Sequence, residues 1–387
     1  MSGQFPEPEA GVAEVSAEAL LARLEGGEHV TVLDTRRPAD FAAWSLTHPN
    51  VTNVNVPFTR FLTEDGEPAD AVPDGVPEGP LVTNCARGLS STYVGSFLRA
   101  HGWTGVEVLT DGMRGWAGLY EAREVALDGA ATLVQYHRPS SGCLGYLVVA
   151  GDEAAVVDPL RAFADRYADD AETRGATLRY VVDTHVHADH LSGVRDVAVA
   201  TDADPVLPSG AVGRGLGFDA YLVDDGDELA LGGTAIEVVG LPGHTSEMTG
   251  YAVDGAVLTG DTLFTNSVAR PDLEAGAAGA AEAARRLYDT LQALAERPPS
   301  TVVAPGHTSP SERPAEDGTY TARLGDLVGA LPAFVQPREA FVEATLADMP
   351  PRPDNFETII AANLGRRSVD DETAFELELG PNRCAAD

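Results

Sequence analysis

The stretch Thr184-His185-Val186-His187-Ala188-Asp189-His190 places three histidines and an aspartate within seven residues, directly after the apolar run at 178–182. In an extended segment, side chains two residues apart point to the same side, so His185 and His187 are expected to converge on one point. Asp189 and His190 then turn back toward the same centre as the next helix starts. The stretch therefore predicts a metal site at the end of a strand.

Three further motifs share this position at a strand end. They are Pro242-Gly243-His244-Thr245 after the run 236–241, Gly260-Asp261-Thr262 after 256–258, and Pro305-Gly306-His307-Thr308 after 301–303. Sheet folds place their functional groups at such ends. Five of the nine histidines lie in these motifs, and this arrangement strengthens the prediction of metal binding.

The apolar runs of this region come in pairs, 146–149 with 154–157 and 236–241 with 256–258. They predict hairpins in a larger sheet, with helices between them such as 277–295. The four motifs resemble those of the metallo-β-lactamase superfamily over 131–330. That resemblance implies an αβ/βα sandwich with the site at one edge of its sheets. Residues 331–387, rich in proline and acids, are expected to form a helical or irregular C-terminal extension.

Two branches of that superfamily imply different metals. In the glyoxalase II-like branch two zinc ions, bridged by the aspartate, activate a hydroxide that attacks a thioester. In the persulfide dioxygenase branch one Fe(II) per chain sits on the residues matching His185, His244 and Asp261, with positions left open for O₂ and a sulfur substrate. The remaining candidates then support these ligands or, in the first branch, hold the second metal: His187, Asp189, His190 and His307. The ligand set alone fits both branches.

Two neighbouring segments favour iron. The segment Gly260-Asp261-Thr262-Leu263-Phe264, followed by Ala269-Arg270-Pro271-Asp272-Leu273, resembles persulfide dioxygenases, in which the arginine helps to hold the thiol carrier. Arg270 is therefore a candidate substrate-binding residue, with a structural salt bridge as the alternative. The tail Pro351-Arg352-Pro353-Asp354-Asn355-Phe356 resembles the same group. Ala269 and Pro271 depart from the family's Gly-Arg-Thr-Asp and leave the identity of the carrier open.

Residues 13–122 alternate between strands (30–33, 80–83 and 106–109) and helices, which predicts a parallel α/β sheet. Polar residues 121–129 mark the expected junction with the second domain. The segments Val32-Leu33-Asp34-Thr35-Arg36 and Leu109-Thr110-Asp111-Gly112-Met113-Arg114-Gly115-Trp116 resemble the entry and closing motifs of rhodaneses. The predicted chain is thus an N-terminal rhodanese α/β domain followed by the sandwich.

Between these motifs, Cys85-Ala86-Arg87-Gly88-Leu89-Ser90-Ser91 reads as a strand–loop–helix turn. Inward backbone N–H groups at a helix N-terminus stabilise a thiolate or a persulfide anion. Gly88 permits the tight turn, and Arg87 adds positive charge toward an anionic sulfur donor. Cys85 is therefore predicted to be catalytic. The alternative is an inert, semi-buried thiol, since many rhodaneses carry arginine where Ser90 stands.

The fusion favours sulfur chemistry, because a rhodanese makes or moves persulfide sulfur and a persulfide dioxygenase consumes it. The predicted reaction converts persulfide, O₂ and water to thiol and sulfite, with a small-molecule thiol persulfide as substrate and thiosulfate as a candidate donor. The alternative is a binuclear zinc thioester hydrolase of the glyoxalase II type. A pure sulfur-binding or sensing protein would require an unfilled metal site, and the full ligand set argues against it.

The chain carries 60 acids and 26 bases, a net charge of −34, and no lysine. Such a surface argues against nucleic-acid and membrane partners. It is typical of proteins from salt-loaded cytoplasm, whereas a GC-rich genome would explain the arginine preference but not the acids. No apolar run approaches the roughly 20 residues of a membrane span, and the acidic start lacks a secretory signal. We therefore expect a cytoplasmic protein; the sequence permits a homo-oligomer without specifying one.

Three cysteines do not make a disulfide framework. Cys143 begins the apolar stretch 143–149, so a buried strand thiol is expected there. Cys384 lies in a polar tail and receives no role.

Overall fold

A computed structural model describes residues 11–274, 276–309, 312–347, 349, 352–353, 355–378 and 385–386. The sequence-based interpretations of residues 1–10, Pro351, Asp354 and Cys384 lie outside the described residues. Among the described helices, none has the length and apolar composition needed to cross a membrane.

The first domain is a five-stranded sheet in the order β1-β5-β4-β2-β3, with every pair parallel. Its elements are β1 (Ala13–Val15), α1 (Ala17–Glu25), β2 (Val30–Asp34), α2 (Pro38–Ala43), β3 (Val51–Asn55), β4 (Leu81–Asn84), α3 (Leu89–Ala100), β5 (Val106–Leu109) and α4 (Gly112–Ala117). The domain has two apolar clusters. One contains Leu20 and Trp116, and the other contains Phe61 and Phe97. The predicted parallel α/β sheet is confirmed.

The second domain contains two sheets. The seven-stranded sheet has the order β12-β11-β10-β9-β8-β7-β6 and the six-stranded sheet β13-β14-β15-β16-β18-β19. Their strands are β6 (Glu121–Val125), β7 (Thr132–Arg138), β8 (Cys143–Ala150), β9 (Glu153–Val157), β10 (Thr177–Val182), β11 (Asp204–Pro208), β12 (Tyr221–Val223), β13 (Glu228–Leu231), β14 (Thr234–Gly240), β15 (Thr249–Val253), β16 (Ala256–Gly260), β18 (Val302–Pro305) and β19 (Ala322–Arg323).

The helices of this domain are α5 (Ala164–Thr173), α6 (Val194–Thr201), α7 (Gly276–Leu294), α8 (Leu324–Ala330), α9 (Pro332–Val335), α10 (Arg338–Ala347), α11 (Phe356–Asn363) and α12 (Asp371–Leu377). The inner cluster joins Leu133 and Val182 of one sheet to Ile236 and Leu258 of the other. One further apolar cluster packs α5 and α6 against the seven-stranded sheet, and another packs α7 to α10 against the six-stranded sheet. The layers therefore form the expected αβ/βα sandwich.

Two local predictions differ from the structure. The runs at 236–241 and 256–258 do not form one hairpin, because β15 lies between β14 and β16 and pairs with both. Its sequence Thr-Gly-Tyr-Ala-Val has a weak apolar signal, although all five residues are buried. The polar segment expected as a junction contains β6, which pairs antiparallel with β7 at the edge of the second domain's sheet. An edge strand tolerates such polar residues.

Residues 331–387 contain the described helices α9 to α12. Phe341 and Val342 of α10 belong to the cluster that contains Leu287 and Leu291 of α7. A short strand β20 (Ala385–Ala386) pairs with β17 (Val268–Ala269). The extension thus returns to the sheet edge that carries the histidine motifs.

Candidate metal centre and cysteine loop

The strand directions bring the four histidine and aspartate motifs to one edge. β16 and β18 are parallel neighbours, and β14 runs in the same direction because two antiparallel steps separate it from β16. The loop after β10 approaches from the facing sheet. β8 ties in as well, since Leu144 N–H donates to Gly306 O at 2.8 Å. At Gly306 a Cβ would lie 2.8 Å from Asp261 Oδ1, so the loop can approach the carboxylate only as glycine.

Three ligand atoms meet at this edge. Asp261 Oδ2 lies 3.8 Å from His185 Nε2 and 3.7 Å from His244 Nε2. All three atoms are buried, and none has a hydrogen-bond partner among the described residues. Burying a carboxylate oxygen and two ring nitrogens without partners costs several kcal/mol. A metal ion bound by all three would remove that cost, so these residues fit one.

The outer ring nitrogens of the two histidines are anchored. His244 Nδ1–H donates to Arg270 O at 3.0 Å, which leaves Nε2 as a free lone pair. Thr184 Oγ1 donates to Asp158 Oδ2 at 2.9 Å and lies 2.9 Å from His185 Nδ1, from which it accepts. Burial lowers the pKa of both His185 and His244. Both rings are therefore held neutral, the state that binds a metal.

A second group of donors forms a hydrogen-bonded chain. His307 Nδ1 lies 2.5 Å from Asp261 Oδ1, and its Nε2 lies 2.8 Å from Asp189 Oδ2. Asp189 Oδ2 also accepts from His190 Nδ1 at 3.2 Å. Burial opposes the charge on His307, but Asp261 and Asp189 raise its pKa well above the usual range. Both ring nitrogens of His307 are thus engaged by carboxylates.

The Nε2 atom of His187 contacts carboxylates other than Asp261, and its Nδ1 has no hydrogen-bond partner among the described residues. Its ring centre is 4.2 Å from that of His185, but its Nε2 lies 3.1 Å from Asp158 Oδ1 and 3.6 Å from Asp183 Oδ1. Burial and His190 lower the pKa of His187, yet the two carboxylates outweigh them and raise it to about 9. The sequence-based reasoning missed Asp158 and Asp183. Each follows a strand directly, β9 and β10, so the signal used for Asp261 was present.

Cys143 is buried at the start of β8, as expected, and ionisable side chains lie next to its thiol. Its Sγ lies 3.7 Å from Asp189 Oδ2 and 3.9 Å from His190 Nδ1. Burial raises the pKa of the thiol, whereas His307 and a hydrogen bond from His190 lower it, with a net value of about 7. The thiol therefore borders the hydrogen-bonded chain, which the sequence alone did not indicate.

The Arg270 guanidinium is buried and paired with a neighbouring carboxylate. The side chain is 1% exposed, and it donates to both carboxylate oxygens of Asp272 at 2.7 and 3.0 Å. Arg352 of the tail motif donates to Asp272 O at 3.0 Å. The contacts therefore match the alternative expected from the sequence, a structural salt bridge, while the backbone of Arg270 orients His244.

In the first domain, Cys85 lies in the loop between β4 and α3. Gly88 has φ 82°, a left-handed conformation that allows the turn. The closing motif holds the loop from outside: Met113 N–H donates to Cys85 O at 2.8 Å, and a Cβ at Gly112 would lie 2.1 Å from that oxygen. Only glycine fits there, which explains the glycine of the Asp-Gly-Met-Arg motif.

The Cys85 thiol is 4% exposed, and Ser91 Oγ lies 3.3 Å from its Sγ. Burial raises the pKa of this thiol, but hydrogen bonds from Ser90, from Ser91 and from the Arg87 backbone together lower it. Ser90, which departs from the rhodanese pattern, thus contributes to the same hydrogen-bonding shell. Arg87 extends outward, and its side chain is 59% exposed.

Family models match two separate parts of the chain. Residues 16–119 match the rhodanese-like domain and residues 140–307 the metallo-β-lactamase superfamily. The chain is a fusion of these two domains. Solved structures similar to it include ETHE1 from Myxococcus xanthus, with 27% identity and a TM-score of 0.53 over 60% of this chain and 98% of that one. A metallo-β-lactamase from Staphylococcus aureus shares the fold, with 22% identity and a TM-score of 0.54 over 63% of this chain and 75% of that one.

Curated relatives of the metallo-β-lactamase domain include the hydroxyacylglutathione hydrolase of Rhodospirillum rubrum, which is 34% identical over 40% of this chain and 56% of that protein. The hydrolase of the same name from Anaeromyxobacter dehalogenans is 40% identical over 31% of this chain and 45% of that protein. The chain thus spans about half the length of these relatives.

Proposed function

We propose that the metallo-β-lactamase domain is a persulfide dioxygenase with one iron ion per chain, and that the rhodanese domain transfers sulfane sulfur through Cys85. The substrates are a small-molecule thiol persulfide and O₂, and thiosulfate is a donor for Cys85. The products of oxidation are thiol and sulfite.

The observation that carries this proposal is the separation of the donors into two groups. His185, His244 and Asp261 converge on one point, and the three ligand atoms that meet there have no hydrogen-bond partner among the described residues. His307 contacts two carboxylates through both ring nitrogens, and the Nε2 of His187 faces Asp158. A two-metal site would need His307 as a ligand. Two imidazoles and one carboxylate on one face are the donor set of mononuclear iron oxygenases.

Iron bound to this face would supply open coordination positions for O₂ and a sulfur anion. The residues of the chain hold the ligands in place. Arg270 O and Thr184 Oγ1 fix the tautomers of His244 and His185, and His307 holds the second oxygen of Asp261. Removing a residue that supports a metal ligand in this way typically lowers metal affinity or activity about 10- to 100-fold.

The structural match to ETHE1 from Myxococcus xanthus supports the same proposal. It covers 98% of that chain and 60% of this one, at 27% identity. The resemblance of 260–273 and of the tail to persulfide dioxygenases points the same way. A rhodanese partner also makes or moves the persulfide sulfur that such an enzyme consumes.

Thioester hydrolysis at two zinc ions is the competing function. The names of the curated relatives favour it, and every residue of the two-metal set is present. His307, whose two ring nitrogens contact Asp261 and Asp189, would have to give up one of these contacts to bind a metal, whereas Nδ1 of His187 has no partner among the described residues.

Metal analysis and oxygen uptake separate the two functions. We expect about one iron per chain, and O₂ consumed in step with sulfite formed when a preformed persulfide is supplied. Two zinc ions per chain, with thioester hydrolysis and no oxygen uptake, would establish the hydrolase instead.

A further inference from the structure

A cavity of about 200 Å³ lies over the cysteine loop, and both domains build it. Ala86 and Arg87, the two residues after Cys85, line it together with Arg114 of the closing motif. The opposite wall is helix α12, from the C-terminal extension of the metallo-β-lactamase domain, which contributes Glu372, Phe375 and Glu376. The cavity beside the cysteine loop is therefore lined by residues of both domains.

Helix α12 is anchored in this position. Glu378, just beyond its end, accepts from Arg138 Nη1 at 2.6 Å, and both side chains are about fully buried. The same carboxylate accepts from Leu191 N at 2.8 Å, next to His190 of the metal motif. Arg138 also donates to Ala117 O of the rhodanese domain at 3.0 Å. The helix is thus attached to both domains.

The cavity carries charges of both signs. Arg36 is already engaged by Asp34, with contacts of 2.7 to 3.0 Å. Arg114 stacks on Phe375 at 5.5 Å, and Arg87 lies 3.4 Å from Glu372 with both side chains more than half exposed. Such an exposed ion pair is weak and easily replaced by a ligand. Two cations and two carboxylates therefore remain available to a bound molecule.

The size and charge of the cavity restrict the ligand. A volume of about 200 Å³ corresponds to roughly six or seven water molecules of liquid. This exceeds what a single oxyanion needs and suits an organic molecule. Glu372 and Glu376, four residues apart on one helix face, repel a dianion but attract a protonated amine.

We propose that this cavity binds a small persulfide bearing both a carboxylate and an amine, and that α12 selects it. The carboxylate pairs with Arg87 and Arg114, and the ammonium with Glu372 and Glu376. The Cys85 thiolate then attacks the outer sulfur: RSS⁻ and Cys85-S⁻ give RS⁻ and Cys85-SS⁻, one S–S bond breaking as another forms. The inference rests on the sulfur-transfer part of the proposed function and is independent of the metal.

The test is anaerobic sulfur transfer to the full-length protein, which involves no oxidation at the metal. Persulfide on Cys85 is measured by mass spectrometry after mixing with cysteine persulfide, with 3-mercaptopropionate persulfide, which lacks only the amine, or with thiosulfate. We expect cysteine persulfide to react with about fivefold higher kcat/KM than the amine-free donor. In Glu372→Gln/Glu376→Gln this preference falls to about one, and thiosulfate reacts several-fold faster.

Asp371→Asn is the matched control, because it removes one charge from the same helix at a side chain that pairs with Arg161 and does not line the cavity. It should leave the donor preference unchanged. Equal reactivity of the two organic donors in the unmodified protein, or a preference that survives the double substitution, would overturn the proposal. So would a preference lost equally in Asp371→Asn. If anaerobic transfer is intact but a separate assay with persulfide and O₂ shows no oxygen uptake, the failure concerns the metal site alone.

Discussion

The metal centre and the cysteine loop are built in opposite ways. The donors of the metal centre come from four loops between residues 185 and 307, are nearly all buried, and are held by charged partners such as Asp158 and Asp189. The cysteine loop occupies seven consecutive residues, and backbone N–H groups and serine hydroxyls surround its thiol. Removal of a metal ligand should therefore abolish the metal centre, whereas removal of one hydrogen bond around the Cys85 thiol should have a graded effect.

The largest expected effect concerns Asp261, the carboxylate shared by both histidine ligands. Asp261→Ala should lose iron and oxygen uptake below detection, because no other carboxylate oxygen faces His185 and His244 among the described residues. Metal content and O₂ uptake are the measurements. Asp189→Asn is the comparison variant and should keep its iron while losing about 10- to 100-fold in activity. Equal loss of metal in both variants would favour the two-metal centre.

Cys85→Ser should divide the two activities. Turnover that starts from thiosulfate should be abolished, and oxidation of a preformed small-molecule persulfide should remain within about twofold, since that substrate reaches the metal directly. Oxygen uptake with each donor provides the measurement. Equal loss of both activities in a folded, fully metallated variant would place Cys85 in the oxidation step. Unchanged activity with both donors would identify an inert module.

Ser91→Ala should produce a graded effect. Hydrogen bonds hold the pKa of the Cys85 thiol below its ordinary value. Removing one donor raises that pKa, so the thiolate and sulfur transfer should appear at higher pH than in the unmodified protein. Below the shifted midpoint the rate should fall about tenfold, the effect of one hydrogen bond to a charged group. The pH profile of transfer from thiosulfate is the measurement, and an unmoved profile would contradict the assignment.

The smallest effect per site, spread over the whole surface, is that of salt. A charge of −34 without lysine should destabilise the fold in dilute buffer, and screening should relieve the repulsion. We expect the unfolding temperature to rise by about 2 to 3 °C toward molar salt for each 2 kcal/mol or so of relieved repulsion. The metal centre, with buried charges, should be less sensitive than the surface. A flat or falling melting temperature would reject salt adaptation.

The sequence was sufficient for the two domains and for the candidate residues, because strand-end motifs and apolar periodicity are local signals. Cys85, His185, His244 and Asp261 all lie where strand ends were expected. β15 and β6 escaped prediction because a short strand with glycine and an edge strand with charged residues carry little apolar pattern.

The division of labour among the donors depended on tertiary contacts. Spacing alone made His187 equivalent to His185, but Asp158, 29 positions earlier, turns its Nε2 away. The sequence left the partner of Arg270 open, and the fold pairs its guanidinium with Asp272, which Arg352 also contacts. The same holds for Cys143 beside Asp189 and for α12 over the cysteine loop. These are pairings between distant segments, and only packing of the sheets and the extension sets which charged groups meet.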